Sequence, residues 1–102
     1  MLLDRSSYSF WLRGKKKSEV VGFLDYSQDC PLTSYLKEHK GMLSAILRNG
    51  NTIAVPKGPE EHIDEENPKW VRKYMLLMDK HLQGGEITMT AQQALTLLKS
   101  CK

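Results

Sequence analysis

The sequence predicts an α+β domain, and three observations carry that reading. Asn49-Gly50 lies between two apolar runs, the strongest short-range sign of a β-hairpin. Tyr8-Ser9-Phe10-Trp11-Leu12-Arg13 and Glu19–Tyr26 read as two further strands around a Gly-Lys break. Helix starts and stops punctuate the rest of the chain, with helices following strands rather than alternating with them, which argues against a parallel βαβ sheet. The expected architecture is two antiparallel hairpins (about 7–26 and 42–56) around a short helix (31–40), with two C-terminal helices (68–82 and 90–100) packed on the sheet.

Taken in order, Tyr8, Phe10 and Leu12 alternate with Ser9, Trp11 and Arg13, a period of two with aromatic enrichment that suggests a strand. Gly14-Lys15-Lys16-Lys17 is a polar turn, and Glu19-Val20-Val21-Gly22-Phe23-Leu24-Asp25-Tyr26 is the returning strand. Gly22 inside it predicts a bulge or the close approach of a bulky neighbour. Asp29-Cys30-Pro31 opens a helix, since the missing N–H of proline costs nothing at the first helical position. Leu32, Tyr35, Leu36 and His39 share one face of it, and Gly41 ends it. Met42–Leu47 fits either a continued helix or a strand; Asn49-Gly50 before Thr52-Ile53-Ala54-Val55 favours the strand.

Pro56 and Gly58-Pro59 end that hairpin, and 59–66 reads as an acidic linker. Asn67-Pro68 then reads as an N-cap and first helical residue, with Glu65 and Glu66 at the positive end of the helix dipole. Gly84-Gly85 closes this helix. Thr90-Ala91-Gln92-Gln93 is a capping box opening the last helix, which carries Ala91, Ala94, Leu95 and Leu98 on one face.

Composition bounds the function. The chain has 102 residues, 40% hydrophobic and 26% charged, which suits one globular domain spanning 1–102. No apolar run approaches the roughly 18 residues needed to cross a bilayer, so no membrane partner is expected. Met1-Leu2-Leu3-Asp4-Arg5 does not resemble a secretory leader, and two distant cysteines fit a reducing, cytoplasmic setting. The net charge of +3 conceals a pattern: residues 1–58 carry nine basic and five acidic groups, 59–66 carry five acidic, and 67–102 carry six basic and two acidic. That excess permits nucleic-acid binding without the dense basic face of a dedicated binder.

No catalytic or metal-binding pattern is present. Cys30, His39, His62, His81 and Cys101 lack the spacing of a metal site, so no metal and no cofactor are expected. Cys30 reads as half-buried, Cys101 as a frayed terminal residue and the histidines as surface groups. Cys30 or Ser27 beside a distant histidine matches no nucleophile signature. Glu60, Glu61, Asp64, Glu65 and Glu66 lie in a polar run, where solvated carboxylates keep ordinary acidity and make poor general acids. The expectation is therefore not an enzyme.

Two binding surfaces are expected instead. The 68–82 helix carries Trp70, Val71, Tyr74, Met75, Leu76, Leu77, Met78, His81 and Leu82, an apolar arc wider than one core-facing stripe. One face packs on the sheet; the other meets the last helix, a second copy of the chain or another protein. Trp70, Tyr74, Leu76, Leu77, Met78 and His81 are the candidate protein interface, and a small regulatory binding protein is the leading reading. The alternative is a nucleic-acid surface made by Lys15, Lys16 and Lys17 at the hairpin tip with Arg13 and a base-stacking Trp11.

Two short stretches resemble known families. Asn49-Gly50-Asn51-Thr52-Ile53-Ala54-Val55-Pro56-Lys57 resembles the short strand and Pro-Lys turn of swapped-hairpin DNA-binding antitoxins and transition-state regulators. The acidic run stands where that pattern has a short helix and the next strand. Ile87–Leu98 is similar to the opening helix of small helix-turn-helix proteins, without the recognition helix that follows it there. No residue role is carried over from either.

Overall fold

The structure is a computed structural model of the chain, described for residues 1–26 and 29–101. Ser27, considered as a nucleophile from the sequence, lies outside the described residues. The elements in order are α1 (Arg5–Arg13), β1 (Val20–Phe23), α2 (Pro31–His39), β2 (Met42–Leu47), β3 (Asn51–Pro56), β4 (Ile63–Glu66), α3 (Lys69–Gln83), β5 (Thr88–Thr90) and α4 (Ala91–Lys99). Two antiparallel sheets, β1-β5 and β2-β3-β4, make this an α+β fold, and the two C-terminal helices pack on the sheets around a shared core.

The first hairpin is corrected. Residues 5–13 form a helix, not a strand. Tyr8, Trp11 and Leu12 repeat at i, i+3 and i+4 and are buried, whereas Phe10, on the supposed inner face of a strand, is 71% exposed. Asp4 caps this helix by accepting the Ser7 N–H at 3.0 Å. The partner of β1 is therefore the distant β5, a strand that the sequence does not announce. Gly22 has both features its position implied. The register shifts between Val20 and Gly22, and the backbone of Cys30 and Pro31 sits directly against the Gly22 Cα.

The second hairpin forms as expected, with Ile46 opposite Ile53 and Leu47 opposite Thr52. Its turn differs: neither Asn49 nor Gly50 has positive φ, although the Asn-Gly signal presumes both do. The acidic linker is shorter than expected. Ile63–Glu66 adds a third strand, half-burying Ile63 and Glu65 while Asp64 and Glu66 face out. Glu65 explains why an acidic segment folds here: its carboxylate accepts the Leu2 N–H at 2.9 Å and lies 3.8 Å from the N-terminal amine.

Asn67 does not cap the following helix. It is buried, accepts the Thr52 hydroxyl and donates to the Arg48 carbonyl at 2.7 Å, while its own N–H donates to the Gly50 carbonyl at 2.9 Å. It thus ties the start of α3 to the hairpin turn, and Pro68 takes the cap position without a side-chain bond. The other caps follow expectation. Gly41 has φ +70° after α2, and Thr90 and Gln93 form the reciprocal capping box.

Aromatic rings fill the centre where α1, α2 and α3 meet. Tyr8 stacks on Trp70 at 6.0 Å and on Trp11 at 6.1 Å, and meets Tyr35 and Tyr74 edge-on. The Tyr8 and Tyr74 hydroxyls are 2.8 Å apart, and Tyr74 donates to the Ala94 carbonyl of α4 at 3.0 Å.

Candidate functional site

The broad apolar arc of α3 is covered mainly from within the chain. Val71, Tyr74 and Met78 mark its centre and are buried. Trp70, Leu77 and His81 form one half-buried flank. Trp70 stacks on Tyr8, and His81 shares a hollow with Gln92, Gln93, Thr96 and Leu97 of α4. Met75 and Met78 line a hollow with Leu24, Cys30 and Leu47 beyond the other flank. Tyr74 and Met78 are therefore removed from the candidate protein interface, because their side chains are spent on the core. Leu76 alone is open, 62% exposed among Arg72, Lys73, Asp79 and Lys80. One exposed leucine among charges is ordinary protein surface.

The basic tip is also largely committed. Trp11 is buried, and its indole N–H donates to Glu38 of α2 at 3.0 Å, so it offers no stacking face. Lys15 contacts the same carboxylate at 2.7 Å, lies 3.8 Å from Glu19 and sits 5.1 Å above the Trp11 ring. The Lys15 contact holds the Glu38 carboxyl below its ordinary value, and Glu38 in turn raises the Lys15 ammonium. Through Trp11 and Lys15, Glu38 ties α1 and the turn after it to α2. Arg13, Lys16 and Lys17 remain exposed beside it.

Burial holds several ionisable groups in their neutral form. Burial pushes the Tyr8 and Tyr74 phenols and the Cys30 and Cys101 thiols upward, holding them protonated. A working nucleophile or base needs the opposite. Both cysteines are buried: Cys30 lies 3.5 Å from the Thr33 hydroxyl, and the Cys101 thiol reaches the Leu97 carbonyl at 3.4 Å. Cys101 is thus neither frayed nor exposed, since α4 holds it in the core. Among the described residues no three His, Cys, Asp or Glu side chains converge as a metal site would require.

What sequence reading missed is the three-stranded sheet. Its order places β2 and β4 at the two edges. The Arg48 N–H donates to the Asn51 carbonyl, so alternation aims the backbone of Ser44 and Ile46 at β3 and that of Ala45 and Leu47 away from it. Side chains alternate as well. Ala45, Leu47, Thr52 and Ala54 point into the core, while Ile46, Ile53 and Val55 line the outer face beside Leu43, which is 62% exposed. The two edges differ in chemistry: β4 reads Ile-Asp-Glu-Glu, and β2 reads Met-Leu-Ser-Ala-Ile-Leu with neither charge nor proline.

Comparison with protein-family models, with curated proteins and with solved structures gives no match. No helix is long and apolar enough to cross a membrane among the described residues.

Proposed function

We propose that this chain is a non-catalytic binding protein whose protein–protein surface is the β2 edge of the three-stranded sheet, and that the partner there is a second copy of the chain. The carrying observation is the asymmetry of the two edges. Native sheets blunt exposed edges with charge, proline or covering elements, because unpaired N–H and C=O groups template pairing with another chain. The acidic β4 meets that requirement through its charge, whereas β2 carries neither charge nor proline and has α2 packed against it.

Self-pairing suits β2 well. An antiparallel pair centred on Ala45 brings Ala45 opposite its symmetry mate, with the outward backbone groups of Leu47 engaging the mate near Leu43. The result is a six-stranded sheet with an acidic strand at each outer edge. Leu43, Ile46, Ile53 and Val55 of both copies then form one apolar face. Such an interface is isologous and closes at two copies. The nucleic-acid reading has no comparable support, since Trp11 and Lys15 are engaged internally.

Sedimentation equilibrium tests this on the intact chain. The expected result is a concentration-dependent shift from 11.7 kDa toward twice that mass. Leu43→Lys with Ile46→Lys abolishes the shift while the circular dichroism melt stays cooperative, and Asp64→Lys on the opposite edge leaves it unchanged. A monomer up to millimolar concentration overturns the proposal, as does a dimer indifferent to the double β2 substitution.

A further inference from the structure

A second feature, independent of the sheet edge, lies where α1, α3 and the end of α4 meet. An open cleft of about 480 Å³ is lined by Arg5, Lys69, Trp70, Lys73 and Cys101. Three of these five side chains are cationic and none is acidic. Lys69 and Lys73 are four residues apart on α3, a like-charge spacing that weakens a helix unless something answers it. Nothing does so among the described residues. The ion pairs there engage Lys15, Arg72, His81 and the N-terminal amine, but not Arg5, Lys69 or Lys73. Arg72, beside them on the same helix, has Glu66 at 3.7 Å.

The cations converge. Arg5 is anchored by its Nη2 donating to the Leu98 carbonyl at 2.7 Å, while its Nε is buried and makes no hydrogen bond. Arg5, Lys73 and Cys101 line the same cleft. The apolar part of the lining is Trp70, whose indole is held by stacking on Tyr8 and edge-on contact with Tyr74 at 6.2 Å. It therefore offers an ordered aromatic surface.

We propose that this cleft binds a small organic anion: a phosphate or carboxylate head among Arg5, Lys69 and Lys73, carried on a flat apolar body against Trp70. A cationic rim over an aromatic wall selects for both parts of such a molecule. The rim gives charge-assisted hydrogen bonds to the head, and the indole buries the body.

The test is a ¹H–¹⁵N NMR titration of the intact chain with four probes: 1-naphthyl phosphate, 1-naphthoate, inorganic phosphate and uncharged 1-naphthalenemethanol. Both naphthyl anions are expected to give saturable shifts centred on the Arg5, Lys69, Lys73 and Cys101 amides and the Trp70 indole N–H. Comparing them tells a phosphate site from a carboxylate site. Inorganic phosphate and the alcohol are each expected to bind about tenfold more weakly or worse, about 1.4 kcal/mol for the missing part. Lys69→Gln with Lys73→Gln, both at exposed positions, is expected to cost at least about tenfold with the spectrum otherwise native. The proposal is overturned if neither naphthyl anion shifts these resonances at millimolar concentration. Equal binding of the alcohol, equal binding of inorganic phosphate, or unchanged binding by the double variant overturns it as well.

Discussion

Gly22→Ala should destabilise this protein although alanine suits a strand better than glycine. Gly22 does not have positive φ, so the backbone itself tolerates a side chain. The obstacle is α2. A Cβ at position 22 would lie 2.7 Å from both the Cys30 carbonyl carbon and Pro31 Cδ, and closer still to the Pro31 nitrogen. An ordinary contact needs well over 3 Å, and the crowding atoms belong to backbone and a proline ring, which cannot rotate aside. The first turn of α2 must then move from β1 by most of an ångström. Overpacking of this kind costs up to about 3 kcal/mol, and the reduced freedom of the unfolded chain returns about 0.7 kcal/mol. The net is about 2 kcal/mol. With an unfolding entropy of about 2.1 cal/mol/K per residue over 102 residues, Tm falls by about 10 °C.

Calorimetry or a circular dichroism melt reads this directly, and Gly50→Ala is the control. Gly50 also lacks positive φ, and a Cβ there would meet nothing within 4 Å, so its substitution should leave Tm unchanged or slightly raised. If Gly22→Ala melts within about 2 °C of the parent, less than about 0.5 kcal/mol, the seating of α2 on β1 is not what requires glycine.

Three further outcomes follow from the same packing. Tyr74→Phe removes both the bond to Ala94 and the partner of the buried Tyr8 hydroxyl, so it should cost about 2 kcal/mol in urea unfolding, whereas Tyr8→Phe leaves the Tyr74–Ala94 bond intact and should cost about half that. Leu76→Lys should be nearly neutral in the same assay and Met78→Lys should unfold the chain, since Leu76 is open and Met78 is core; comparable effects would refute this placement of α3. The folded state holds the two buried thiols and the three buried phenols of Tyr8, Tyr35 and Tyr74 protonated beyond their ordinary values of 9.0 and 10.0, so it keeps protons that the unfolded chain releases. From neutral pH to about pH 9 these groups leave stability level, and it should fall as pH rises above that, which urea midpoints measured across the range will show.

The parts of the fold legible in the sequence are those decided locally. The Thr90–Gln93 capping box, the Gly41 helix stop and the Met42–Pro56 hairpin each depend on residues within a few positions of one another, and each forms. The misread parts are decided at a distance. Six residues from Tyr8 to Arg13 satisfy a strand period and a helix period equally; α2 and α3 settle the matter by burying Tyr8 and Trp11 and leaving Phe10 outside. Ile63–Glu66 looks like a linker until Glu65 finds the Leu2 N–H, 63 residues away. Asn67 has the sequence position of a cap but finds better partners in Thr52 and Arg48.

The same distinction separates visible charge from available charge. Lys15-Lys16-Lys17 is the most conspicuous basic cluster in the sequence, yet its first member is answered by Glu38, 23 residues away on another helix. Arg5, Lys69 and Lys73 form no conspicuous run. They come from two helices far apart in the chain, and among the described residues no carboxylate pairs with them. Apolar surface behaves likewise: the wide arc of α3 is absorbed largely by α1 and α4, whereas the inconspicuous Met42–Leu47 is placed at a sheet edge by the strand order. A group is free to bind a partner only after intramolecular demands are met, and those demands are set by tertiary neighbours. This is why the sheet edge and the Arg5–Lys69–Lys73 cleft, rather than the segments richest in apolar or basic residues, carry the two binding proposals.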